Sequence, residues 1–517
     1  MKKQSLIKGS LILGVAGILA KFLGLFFRWP IVMLIGDQGL GYYQLAYPLY
    51  GFFIAISTGI PISLSKIISE NNVLGKEKEN FYMMNAAIKV MFIISICTSF
   101  LLIFFGQDII NLFHWEKDAY YSMLGISLAP MFIAIVNPIR GFFQGYQNMT
   151  PSAISQLFEQ VGRVIVGVGL AYLLLPKGIA VSAGGASFGA TAGAILAALY
   201  LLIKYNKEKK QVNKTYSKYK VRGGLRKLLL MAVPISIGAA VVSIMGMIDA
   251  VLVPKKLLEA GMSPSEATIL FSQFTGKASA LVHIPLTLSI ALCSSIIPII
   301  AEKYLLKNRN ELNQKISIAM KLGLVIALPC CLGLFFLAEP IMVTIFPGRE
   351  GGANILRYLS LSIPFMTLTQ ISTSILQGVG SYVKPIINMF IAVVIKIVLT
   401  MVLVPMKELN IQGAVIATII AYVVVSILNL ISMKIKLKYK SNLGEVFLKP
   451  ALASVIMIIC TLSLFLFLLD RMNSIMMNCI LSIAVGGVIY IVAILILGVF
   501  SYDYVKGKIN KKIKYWK

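Results

Sequence analysis

Apolar stretches of 18 or more residues recur from one end of this chain to the other, each long enough to cross roughly 30 Å of hydrocarbon as a helix. In lipid the backbone must satisfy its own hydrogen bonds, which leaves only helices or a closed barrel. The runs are apolar throughout instead of alternating, and that pattern selects helices. Composition agrees: 58% of the 517 residues are hydrophobic and 13% charged, whereas soluble domains carry about 25% charged residues. The expected fold is an all-α polytopic membrane protein.

Fourteen spans are expected. Six lie near 6–27, 42–65, 84–105, 120–139, 153–175 and 180–203. Six more lie near 228–252, 277–300, 316–337, 357–377, 384–404 and 411–433, and a last pair near 450–469 and 477–500. The first run is too long for a signal-peptide core and lacks a small-residue cleavage site, so it is read as a helix.

Charge sets the expected orientation. Of the 48 Lys and Arg, 31 fall at the termini and in the loops after even-numbered spans, 8 in the loops after odd-numbered spans, and 9 within spans or at their edges. The positive-inside rule then places both termini in the cytoplasm of a cell-membrane protein. The densest cluster, "KYNKEKKQVNKTYSKYKVRGGLRK" from Lys204 to Lys227, carries ten cations. A topogenic linker against acidic headgroups explains it, and the net charge of +28 requires no nucleic-acid partner.

Bond chemistry has no obvious seat. The six cysteines (Cys97, Cys293, Cys330, Cys331, Cys460, Cys479) all fall inside apolar runs without metal-like spacing. The two histidines, His114 and His283, are far apart in sequence. No phosphate-cradling Gly-Lys-Ser/Thr loop, nucleophile elbow or kinase-type motif occurs. Neither an enzyme, nor a metal site, nor a bound cofactor is expected.

The chain also repeats itself. "QGYQNMTPSAISQLFEQVGRVIV" from Gln144 is answered by "QGVGSYVKPIINMFIAVVIKIVL" from Gln377, and each plants a cation 19 residues after the Gln, Arg163 and Lys396. "SLAPMF" (Ser127 to Phe132) is answered by "SLSIPF" (Ser360 to Phe365), and Gly185-Ala186 by Gly413-Ala414. Spans 4–6 therefore match spans 10–12. The expected organisation is an N-terminal six-helix bundle (1–203), a basic cytoplasmic linker (204–227), a second six-helix bundle (228–433), and an extra helix pair with a basic tail (434–517). Parallel repeats of this kind place a substrate at their interface near the midplane.

Charges inside spans are the candidate functional residues. Arg163 and Lys396 sit near the middle of their spans, where each costs about 2.5–3.5 kcal/mol to insert. Glu159 lies one turn before Arg163 and can neutralise it on the same helix face, while Lys396 has no acid in its own span. Lys21 lies three-quarters of the way along the first span, with Arg28 two turns beyond; Lys277 opens the eighth. Snorkelling to the interface is the alternative for Arg28 and Lys277. Only two acids, Glu159 and Asp249, lie clearly within spans, so a cavity lined by these cations should take an anion. Asp249 could couple to an ion (H+ or Na+) or partner a nearby cation, and His283 reads as a hydrogen-bonded interior residue.

These residues carry a family resemblance. "KGSLILGVAGILAKFLGLFFR", "GDQGLGYYQLAYPLY", "GIPISLSKIISE", "IDAVLVPKKL" and "HIPLTLSIALCSSIIPIIAE" resemble the polysaccharide-exporter branch of the multidrug/oligosaccharidyl-lipid/polysaccharide exporter superfamily, and within it the lipid II flippases and their sporulation relatives. The resemblance implies a flippase for an undecaprenyl-diphosphate-linked peptidoglycan or polysaccharide precursor, working by alternating access in spore-cortex or cell-wall synthesis. It places Lys21 where relatives carry an essential basic residue before "LG". Arg28 corresponds to their next basic residue displaced by one, without the acid that follows it. Phe52 and His283 stand where relatives have Arg and Glu. The alternatives are a cation-coupled drug antiporter of the same superfamily, which would want acids in its cavity, and a non-transporting scaffold for cell-wall enzymes.

Overall fold

The computed structural model describes residue 4 and residues 6–211, 223–439, 444–472 and 474–499. Part of the basic linker (212–222) and the C-terminal tail from residue 500 lie outside the described residues. The described residues are overwhelmingly helical, and no strand occurs among them. In chain order the helices are α1 (Leu6–Ser57), α2 (Gly59–Val73), α3 (Asn80–Phe104), α4 (Gly106–Phe113), α5 (Ala119–Ser127), α6 (Ala129–Gly145) and α7 (Thr150–Leu174). Next come α8 (Ile179–Gln211), α9 (Gly224–Glu259), α10 (Pro264–Ser272), α11 (Ser279–Leu305), α12 (Arg309–Phe336) and α13 (Ala338–Ile345). The last six are α14 (Ala353–Leu359), α15 (Ile363–Gly378), α16 (Val383–Leu403), α17 (Ile411–Leu437), α18 (Lys449–Leu469) and α19 (Ile475–Ile496).

Twelve helical stretches among the described residues are long and apolar enough to cross a membrane. The first of them runs 62 residues, Ile12–Val73, and contains two of the expected spans. The break within it is at Gly36 (φ 67°, ψ −169°), a backbone region open essentially to glycine alone. In an unbroken helix Phe27 and Tyr43 would stand about 24 Å apart, yet their ring centroids are 5.5 Å apart. The chain therefore folds back at Gly36, and α1 is two antiparallel spans. The expected eighth span coincides with α11. The protein is an all-α, multi-pass membrane protein.

The chain divides into two compact units, residues 1–276 with 404–410, and residues 277–403 with 411–517. The sequence repeat divides at 204–227, whereas the first unit continues through α9 and α10. Close backbone contact explains the difference. Gly59 faces the Ala232 carbonyl and its N–H donates to Ser236 Oγ at 3.2 Å. Gly41 meets Thr268, and Trp115 Nε1 donates to the Ala250 carbonyl at 2.7 Å. Within this unit residues such as Ile60, Leu64, Met84, Ile139, Phe142 and Ala197 form a buried core.

In the second unit, Leu312, Ile316, Met320, Ile371, Ile375 and Met433 form the core between α12, α15 and α17. The appended pair α18–α19 is fixed to α12 by Tyr490, whose hydroxyl donates to the Val325 carbonyl at 2.7 Å. Lys321 of α12 adds a hydrogen bond to the Val499 carbonyl at 3.1 Å.

The internal repeat extends beyond the stretch legible in the sequence. The run α3 to α8 (one long helix, one eight-residue helix, two short helices, two long ones) recurs as α12 to α17. The two eight-residue helices, α4 and α13, had no counterpart in the expected spans.

Candidate functional site

The site in the first unit is built on α1, α6, α7 and α8. Small residues let α7 and α8 approach closely: an added Cβ on Gly189 would stand 2.7 Å from the Arg163 carbonyl oxygen, and one on Gly193 would strike the Glu159 carbonyl. The two glycines thus set the backbone height of both charged residues. On α1, Tyr43, Tyr47 and Tyr50 recur at helical spacing, with Tyr43 and Tyr47 stacked at 5.3 Å and Tyr47 to Tyr50 at 5.9 Å.

Arg163 is 8% exposed. Its Nη1 donates to the Tyr47 hydroxyl at 3.1 Å, and its guanidinium lies 5.5 Å from the Tyr47 ring centroid. Its Nε has no hydrogen-bond partner among the described residues. Glu159 lies 3.8 Å from Arg163 Nη2, an ion pair without a hydrogen bond. The nearer partner of Glu159 is Arg140 of α6, whose Nη2 donates to Oε2 at 3.0 Å. Arg140 Nε also donates to Ser155 Oγ at 2.8 Å. The same-helix pairing that the spacing of Glu159 and Arg163 allows is present but shared, in a triad in which one carboxylate is divided between two guanidiniums.

Arg28 reaches the same aromatic group from the first arm of α1. It is half-buried, near enough to Arg163 for the two like charges to repel, and its Nη1 donates to the Gly276 carbonyl at 3.0 Å. That carbonyl belongs to a π-helical turn, Gln273–Ala278, which follows α10. The start of α10 is fixed by a capping box between Ser263 and Glu266. The Glu266 carboxyl is held below the usual carboxylate range, first by the Ser263 backbone N–H and then by its hydroxyl.

The other expected residues are distributed differently. Lys21 is exposed on α1, and seven residues' separation places it on the same face as Arg28, two turns away. Asp249 is buried on α9 at 8% exposure. In the second unit Lys277 is fully buried; its Nζ donates to the carbonyls of Arg349 (2.6 Å) and Gly351 (3.3 Å) and lies 5.3 Å from the Phe346 ring centroid. Its ammonium is engaged by backbone oxygens, so snorkelling to water does not describe it. Lys396 is 2% exposed on α16. His283 is exposed on α11 rather than interior.

Arg140 was not among the expected residues, because it follows Pro138 at the end of the fourth span and reads there as a loop cation. A signal existed in the repeat. At the 233-residue offset that joins Arg163 to Lys396, Arg140 corresponds to Thr373 and Ser155 to Asn388. Asn388 Nδ2 donates to Asn429 Oδ1 at 2.9 Å, and Asn429 Nδ2 to Thr373 Oγ1 at 3.0 Å. The first half joins α6 to α7 directly with an ion pair, and the second joins α15 to α16 through the neutral amide of Asn429 on α17. The tyrosine run was visible in "GYYQLAYPLY", whose i, i+4, i+7 spacing presents one helical face.

An all-helical, multi-pass protein with a buried guanidinium against tyrosines inside its helical bundle has the form of a membrane transporter. The comparisons give this class its family. The polysaccharide biosynthesis protein model matches residues 6–304, more than half of the chain, and the MatE model matches residues 234–402. The chain belongs to the polysaccharide biosynthesis protein family, a polysaccharide-exporter branch of the multidrug/oligosaccharidyl-lipid/polysaccharide superfamily. It is similar to Stage V sporulation protein B of Bacillus subtilis (strain 168), 27% identical over 469 residues and covering 89% of each chain. It is also similar to the Lipid II flippase MurJ of the same organism, 29% identical over 448 residues and covering 81% of each. Among solved structures, a lipid II flippase MurJ in an inward closed conformation superposes with a TM-score of 0.74 at 18% identity, covering 94% of this chain and 99% of that one. A multidrug resistance MATE family transporter in an inward-facing conformation gives 0.71 at 14%, covering 81% and 94%. The protein is a membrane transporter of the flippase type and not an enzyme.

Proposed function

We propose that the chain moves an undecaprenyl-diphosphate-linked peptidoglycan or polysaccharide precursor across the cytoplasmic membrane by alternating access between the two six-helix halves, 1–203 and 228–433. The observation that carries the reading is the buried Arg163 guanidinium against Tyr47, with half-buried Arg28 on the neighbouring arm of α1. Guanidiniums match phosphate oxygens with parallel N–H donors, and a low-dielectric site strengthens that attraction. A diphosphate can there exchange lost hydration for fixed positive charge, while its polyprenyl tail stays in lipid. The full ligand set we propose is Lys21, Arg28, Arg163, Lys277 and Lys396, with Arg163 foremost because its buried Nε has no hydrogen-bond partner among the described residues. Glu159 and His283 are structural partners in this reading. Asp249 is the intramembrane acid we assign to a coupling ion, H+ or Na+, or to a structural partnership with a nearby cation.

The names of the relatives support a lipid-linked substrate and a role in spore-cortex or cell-wall synthesis. The drug-antiporter alternative is disfavoured, because the site that would bind a cationic drug is itself cationic. The 31-to-8 division of Lys and Arg supports cytoplasmic termini. External cysteine labelling should reach positions 117 and 349 and spare the 204–227 loop.

Reconstitution into vesicles with fluorescently labelled lipid-linked precursor tests the function. The parent protein should translocate the headgroup, and Arg163→Gln should fold and fail to do so. Parent vesicles that show no transfer above empty liposomes under either an imposed potential or an ion gradient would refute the proposal. Undiminished transfer by the folded variant would remove Arg163 from the site.

A further inference from the structure

We propose that Arg140 is a positioning residue that holds Glu159 away from Arg163 and so keeps the Arg163 charge available to an anionic headgroup. The inference rests on the reading of Arg163 as a headgroup ligand.

Three geometric facts carry it. First, Glu159 is placed by its backbone, beneath Gly193 of α8, where it can serve either guanidinium. Arg140 takes it at 3.0 Å with a hydrogen bond, and Arg163 is left at 3.8 Å without one. Second, Arg140 is committed elsewhere: Nε to Ser155 Oγ at 2.8 Å, Nη2 to Glu159, and its own carbonyl to the Ser152 hydroxyl at 3.3 Å. It is pinned between α6 and α7 and is not poised to meet a ligand. Third, Arg163 retains a buried Nε with no hydrogen-bond partner among the described residues, the condition expected of a donor that awaits an acceptor.

The balance is electrostatic. A carboxylate at hydrogen-bond distance from a buried guanidinium offsets most of the charge that a phosphate would otherwise meet. Without Arg140, the ion-pair partner left to Glu159 among the described residues is Arg163, one helical turn away on its own helix. The site would then present a neutralised pair where it now presents two cations to one anion. In the second half the corresponding link is neutral, through Asn388, Asn429 and Thr373, and carries no carboxylate to be restrained. The restraint is needed only where Glu159 is present.

The test is equilibrium binding of undecaprenyl diphosphate to the purified full-length protein in detergent, with gel filtration to verify folding of each variant. Arg140→Gln keeps a donor for Ser155 and removes the charge. It should weaken binding by about tenfold, the scale of a partly screened charge contact at 3–4 Å. Arg140→Gln with Glu159→Gln should recover parental binding, since no carboxylate is left to occupy Arg163. Arg140→Lys should bind close to the parent. A merely structural or directly ligating Arg140 predicts no recovery in the double variant, and that result would overturn the proposal. If Arg140→Gln does not fold, Glu159→Gln alone decides: it should bind more tightly than the parent, and unchanged or weaker binding overturns the proposal. Unchanged binding by Arg163→Gln would instead refute the ligand reading beneath it, whereas weak Arg163→Gln with parental Arg140→Gln refutes only the positioning role.

Discussion

Alanine at Gly189 would place a methyl carbon 2.7 Å from the Arg163 carbonyl oxygen and 2.7 Å from the Cα of Gly167. Both obstacles are backbone, so no side chain can swing aside. Ordinary contact for such a carbon begins near 3.4 Å, and α7 and α8 must part locally by about 0.7 Å to accept it. Displacing Arg163 by that amount stretches its 3.1 Å bond to the Tyr47 hydroxyl to roughly 3.8 Å, beyond hydrogen-bond range. Overpacking of this kind costs about 1–3 kcal/mol. The control is Gly169 on α7, where an added Cβ meets nothing within 4 Å; alanine there should be neutral or stabilise the helix by up to about 1 kcal/mol. Thermal unfolding in detergent, followed by the fraction remaining monomeric on gel filtration, should show Gly189→Ala melting below the parent and Gly169→Ala at or above it. Vesicle assays should show slower headgroup transfer for Gly189→Ala alone. If Gly189→Ala equals Gly169→Ala in both measurements, the α7–α8 contact does not set the height of Arg163.

Lys396→Met keeps an unbranched apolar stem and removes a charge that costs about 2.5–3.5 kcal/mol near the midplane. Protein level should hold or rise while transfer falls, and parental transfer by this variant would remove Lys396 from the ligand set. Gly36→Ala imposes a Cβ on a backbone region open essentially to glycine, at a cost of about 1–3 kcal/mol. It should lower thermal stability and loosen the Phe27–Tyr43 contact; an unaltered melting temperature would show that the turn between the two arms of α1 is not under this constraint.

Much of the site was legible residue by residue and misread pair by pair. Arg163 and Glu159 were visible as intramembrane charges, and their i, i+4 spacing allowed a self-contained pair beside the reading of Arg163 as a ligand. The pair exists at 3.8 Å, but Arg140 wins the carboxylate because α6 crosses α7 at the level of Ser155 and Glu159. Lys277 showed the same limit. Its position at a span end suggested a ligand or a snorkelling cation, and its ammonium is held by carbonyls some 70 residues away in sequence, at Arg349 and Gly351. His283, expected inside, is exposed.

The amino-acid sequence by itself determined that this chain is a bundle of membrane helices, built from a repeat, with cations in its spans. Each of those properties is local or periodic: an apolar run in lipid must bond its own backbone, and an echo can be read by alignment alone. Only the tertiary structure decided that α1 folds back at Gly36, that α9 and α10 pack into the first unit, and which cation holds which anion. Those outcomes depend on how closely backbones approach at Gly59, Gly189 and Gly193. Interhelical distance sets the reach of every side chain across it, and residue spacing along one helix does not encode that distance.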